Sequence, residues 1–98
     1  TPTQTLYLMN SPFVHEQAAA FAARAALPGL APTERARQMI EAAHGREADP
    51  AELEMTSRFI AQYASRLPAE TALADRETAA WQAFARVLLT GNAFLSVD

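Results

Sequence analysis

Three times in this chain a residue with a capping side chain is followed at once by proline: Thr1-Pro2, Ser11-Pro12 and Asp49-Pro50. No other feature constrains the fold as much. An oxygen on the cap residue accepts a backbone N–H that the first helical turn leaves without a partner. Proline in the next position has no N–H to leave unpaired, and its fixed φ suits the first helical residue. Each pair therefore predicts a helix start. After Thr1, Gln4 stands where its side chain can reach back to the cap. After Asp49, Glu52 does the same, which makes that start the strongest in the chain.

The stops and the apolar spacing complete the pattern. A first short helix is predicted through Met9, with Leu6 and Met9 on one face. The run Leu6-Tyr7-Leu8-Met9 also alternates as a strand would, and the capping pattern favours helix. A second helix follows Ser11-Pro12 to about Leu27, where Pro28-Gly29 ends it; Val14, Gln17, Ala18, Phe21, Ala22 and Ala25 form its stripe. Phe13 and Val14 are expected to open that buried face. A third helix is read from Thr33 as its cap, with Glu34 beside the positive end of the helix dipole and Ala36, Met39, Ile40 and Ala43 buried. Gly45, just after His44, is its expected left-handed terminator.

The fourth helix starts at Asp49-Pro50 and runs to about Leu67, burying Leu53, Thr56, Phe59, Ile60, Tyr63 and Leu67 before Pro68 closes it. Residues 69–74 read as a loop or a frayed first turn. A last helix spans about Asp75 to Thr90, with Trp81, Phe84, Ala85 and Leu88 on one face and Val87 and Leu89 widening it. Gly91-Asn92 is expected to break it, and Phe94 and Leu95 to dock back against the opening helix, since bulky apolar residues left exposed invite aggregation. Nearly all of the eight aromatics, Tyr7, Phe13, Phe21, Phe59, Tyr63, Trp81, Phe84 and Phe94, are expected to be core anchors. The expected fold is all-α: a small bundle of four to five helices with short Pro/Gly-marked connections. Residues 1–98 read as one helical domain. The opening at Thr1, directly on helix-start chemistry, reads as an internal or C-terminal fragment of a longer, multidomain protein, with C-terminal preferred.

Composition excludes several kinds of chemistry. There is no cysteine, so this segment offers no disulfide, iron–sulfur cluster, thiol nucleophile or covalent haem attachment. The net charge is -3, all eight basic residues are arginine, and no stretch is strongly basic, which argues against a nucleic-acid partner. No apolar run approaches the roughly 20 residues that cross a bilayer, so no membrane insertion is expected. His15-Glu16 resembles the start of a zinc-hydrolase helix, but the second histidine such a site needs four residues on is Ala19 here. His44 reads as a helix C-terminal residue interacting with the dipole. Arg35, Arg37 and Arg46 lie among Glu34, Glu41, Glu47 and Asp49, and local salt bridges are expected of them. Glu52 and Glu54 point to different faces of a helix. No catalytic, cofactor-binding or metal-ligating set emerges. The residues with an assigned job are structural: Ser11, Pro12, Phe13, Gly45, Asp49, Pro50, Trp81, Phe84, Phe94 and Leu95.

Three segments taken in order carry a family resemblance: LYLMNSPFVHEQA from Leu6, HGREADPAEL from His44, and WQAFARVLLTGNAFLSVD from Trp81. Together they resemble the C-terminal part of the domain family of unknown function numbered fifteen fifty-three, found in large proteins of Planctomycetes and Verrucomicrobia. The chain departs from that pattern at Glu47, Thr90-Gly91, Ala93 and Ser96. The resemblance implies a parent that is exported and carries a cytochrome-c-like domain, hence an extracytoplasmic location with any c-type haem in another domain. It carries over no catalytic residue. The function expected on these grounds is a non-catalytic structural or interaction module whose partners are other domains of its parent or a separate protein. The alternative is a contribution of His15, Glu16 or Arg46 to an enzyme site, redox or polysaccharide-related, built with those other domains.

Overall fold

The structure, a computed structural model, describes residues 2–97, with side chains described for all of these except 2, 5 and 92–97. Five helices follow one another: α1 (Pro2–Met9), α2 (Pro12–Arg24), α3 (Pro32–His44), α4 (Pro50–Ser65) and α5 (Leu73–Val97). No strand occurs among the described residues. The fold is thus a small all-α bundle, with α1 helical.

Proline occupies the first position of four of these helices. α3 starts earlier than its sequence indicates. Its N-cap is Ala31 (φ −64°, ψ 148°), and Pro32 leads the helix. Thr33 therefore lies inside the first turn and is not the cap. Proline pushes the residue before it into extended backbone, so the Ala31-Pro32 step sets the boundary. Ser11 is the N-cap of α2 by position, but its side chain makes no capping bond, whereas its carbonyl accepts the His15 N–H at 3.0 Å.

α2 ends at Arg24, three residues short of Leu27. Its end tightens through bonds from Ala25 N–H to the Ala22 carbonyl (3.2 Å) and from Ala26 N–H to that of Ala23 (3.1 Å). Pro28 and Gly29 then form a turn closed by Leu30 N–H on the Leu27 carbonyl at 3.2 Å, with Gly29 at φ 76°. α4 likewise stops at Ser65, short of Leu67.

α5 departs furthest from expectation. It begins at Leu73, before Asp75, and continues straight through Gly91-Asn92. The only glycines with positive φ are Gly29 and Gly45, so Gly91 takes a helical conformation. A lone glycine weakens a helix by about 1 kcal/mol relative to alanine without stopping it. The expected docking of Phe94 and Leu95 concerns side chains outside those described.

α5 is the axis of the bundle and packs against each of the other four helices. Buried positions on it, Ala80, Trp81, Ala83, Phe84, Ala85, Leu88 and Thr90, spread over more than one stripe, as they must in a helix with neighbours on several sides. The core joins Trp81, Phe84, Ala85 and Leu88 to Ala18, Phe21, Ala22 and Ala25 from α2 and its end, and to Ala36, Met39 and Ile40 from α3. α4 adds Leu53, Phe59 and Ile60, partly buried.

Three expected anchors are not in the core cluster, the half-buried Tyr63 and the exposed Tyr7 and Phe13. Tyr7 is 77 % exposed and Phe13 66 %, and Leu6 is exposed as well. At 3.6 residues per turn, Phe13 points about 130° away from the centre of the stripe formed by Ala18, Phe21, Ala22 and Ala25, whereas Val14 lies about 30° from it. Val14 is accordingly half-buried and Gln17, off the stripe, is exposed.

Candidate functional site

The densest polar cluster sits where α3 hands over to α4. Gly45 ends α3 in the left-handed conformation (φ 68°), and its N–H donates to the Glu41 carbonyl at 2.9 Å. Arg46 then reaches forward to Glu52, with Nη1 and Nη2 donating to the two carboxylate oxygens at 2.8 Å each. The same carboxylate accepts the Asp49 N–H at 2.8 Å, and Asp49 Oδ1 accepts the Ala51 N–H at 3.1 Å, completing a capping box. Glu41 Oε2 takes the Ala48 N–H at 3.2 Å.

The electrostatics follow from these bonds. The Arg46 guanidinium, then the Asp49 N–H, hold the Glu52 carboxyl at about 2 against an ordinary 4.5, outweighing the opposing effect of burial. The His44 side chain adds a smaller pull in the same direction. Reciprocally, the bond to Glu52 raises the Arg46 pKa. The carboxylate that pairs with Arg46 is thus that of Glu52 and not that of the nearer Glu47, whose backbone carbonyl accepts from Arg46 Nη1 at 3.0 Å. Arg37 pairs with Glu34 at 3.1 Å, one turn away on α3.

Arg35 does something else. Its guanidinium lies 4.5 Å from the centre of the Trp81 ring, and Nη2 donates to the Ala22 carbonyl at 2.9 Å. Burial lowers its pKa, and the charge of Glu77 acts the other way. Arg35 thereby ties α3 to both α2 and α5. Arg76, on α5, donates to three carbonyls: Ala64 (2.6 Å), Pro68 (2.7 Å) and Thr71 (3.1 Å). Ala22 and Ala64 each belong to the last four carbonyls of a helix, which lack a regular helical partner. Two arginines, then, bind the open ends of neighbouring helices. Sequence reasoning missed both roles, because the helix-end carbonyls of Ala22 and Ala64 lie 13 and 12 residues from their arginines and no local motif marks them.

The remaining candidates are separate from one another. His15 Nε2 lies 2.9 Å from the Met9 carbonyl at the end of α1, and both His15 and Glu16 are exposed. Among the described residues, no group of three or more His, Asp or Glu side chains is placed to hold a metal ion. The buried hydroxyls of Thr56 and Thr90 donate to carbonyls one turn back, those of Glu52 (2.8 Å) and Arg86 (2.7 Å). Pro12 and Pro50 lead their helices, and Trp81 packs edge-on against Phe84 with ring centres 6.0 Å apart.

One cavity is apolar. It is a groove of ≈ 250 Å³ where α3, α4 and α5 meet, lined by Ile40, Met55, Phe59, Phe84, Val87 and Leu88, with Glu52 and Thr56 at its edge. Met55 stands largely in solvent at its mouth. No described helix is long and apolar enough to cross a membrane.

Fold and polar contacts together define a helical bundle in which several charged groups, Arg35, Arg46, Arg76, Asp49 and Glu52 among them, serve helix ends and corners. A family model described as "Protein of unknown function (DUF1553)", PSD1, matches residues 1–60, more than half of the chain, and the chain belongs to that family. The match takes in α1 to α3 and most of α4, with the Asn10-Ser11-Pro12-Phe13-Val14 run and the Gly45–Leu53 corner. The Trp81 segment lies beyond it. No curated protein and no solved structure matches the chain.

Proposed function

We propose that this chain is a non-catalytic helical module, one domain that closes a large extracytoplasmic multidomain protein of the planctomycete and verrucomicrobial kind. It packs against other domains of that parent or offers its surface to a separate protein partner. The observation that carries this reading is the engagement of the polar groups. Arg35, Arg46, Arg76, Asp49 and Glu52 each hold a helix end, a corner or a neighbouring helix, and Arg37 pairs with Glu34 within α3. The groove between α3, α4 and α5 is apolar, which suits a protein contact better than bond-making chemistry. The segment needs no cofactor of its own, and any c-type haem belongs to a different domain of the parent. The net charge of -3 disfavours a nucleic-acid partner.

The rival reading gives His15, Glu16 or Arg46 a place in an enzyme site shared with other domains. Arg46 is the weakest of the three, because both ends of its guanidinium fork are engaged by Glu52. The test is to replace His15, Glu16 and Arg46 one at a time in the full-length parent and to follow its activity and abundance together. Unchanged activity per folded molecule supports the module. A loss of activity at His15 or Glu16 with folding intact overturns it in favour of the shared site.

A further inference from the structure

We draw no further inference here: the strongest candidate, the apolar groove between α3, α4 and α5 with Met55 and Val87 at its mouth, belongs to the surface already described, and nothing in the structure shows what covers it.

Discussion

Met39 and Met55 are the same side chain in opposite surroundings, and truncating each to alanine separates core from surface. Met39 has 0 % of its surface exposed and sits in the core cluster on α3; Met55 is 67 % exposed on α4. Met39→Ala removes three buried heavy atoms and leaves a void among Phe21, Ile40 and their neighbours. Buried Met-to-Ala changes cost 2–5 kcal/mol, and complete burial among bulky neighbours places this one at about 3 kcal/mol. In a domain of this size that lowers Tm by roughly 12–24 °C. Met55→Ala removes atoms that are already mostly hydrated and is expected to cost less than about 1 kcal/mol. Thermal unfolding followed by circular dichroism at a helix-sensitive wavelength reads both variants. Equal losses at the two positions, or a near-neutral Met39→Ala, would refute the assignment of α3 to the core and of Met55 to the surface.

The helix ends give further tests. Asp49→Ala removes a working cap and is expected to cost about 1 kcal/mol in urea unfolding, while Ser11→Ala, whose side chain makes no capping bond, stays within about 0.5 kcal/mol. Gly91→Ala fills open space in a helical position and should stabilise by about 0.5–1 kcal/mol, whereas Gly45→Ala, at φ 68°, should destabilise by a similar amount; a destabilising Gly91→Ala would mean that α5 breaks there. The Glu52 carboxyl titrates at about 2 in the folded chain and near 4.5 when unperturbed, so the unfolded state binds more protons between these values. Its contribution is complete above about pH 4.5 and fades as the pH falls towards 2. Glu52→Gln should therefore flatten the stability profile across that window, and an unchanged slope in urea titrations would exclude the Arg46–Glu52 pair. Arg76→Ala removes three hydrogen bonds to the carbonyls of Ala64, Pro68 and Thr71 and is expected to cost about 1–2 kcal/mol, with the amides of residues 66, 67 and 69–72 exchanging faster by NMR.

How far the sequence could be read depends on the range of the interaction concerned. A proline, its cap and a returning carboxylate lie within four residues, so the starts of α2 and α4 and the Gly45 terminator could be read directly. Gly91 and Gly45 differ in their C-terminal neighbours. After Gly45 a new cap and proline restart the chain, while after Gly91 no proline intervenes, and the Thr90 hydroxyl sits back on the Arg86 carbonyl inside an unbroken helix. Size alone points the aromatics at 7 and 13 inward. Their angle on the helix places them outward, and the alanines at 18 and 22 fill the close contacts with no ring. The arginine clamps at 35 and 76 depend on which helices become neighbours, which is tertiary information. The three segments that carry the family resemblance were legible as a set, and the family match covers two of them.

The central claim is that these helices close on one another without help from a ligand. Trp81 is the chain's single tryptophan, buried beneath Arg35 and beside Phe84, so its fluorescence reports the core while circular dichroism reports the helices. Urea unfolding of the 98-residue chain followed by both signals is predicted to give one shared, reversible transition with no added metal or cofactor. Helix content that melts apart from the Trp81 signal, or a Trp81 already exposed to water in buffer alone, would contradict it.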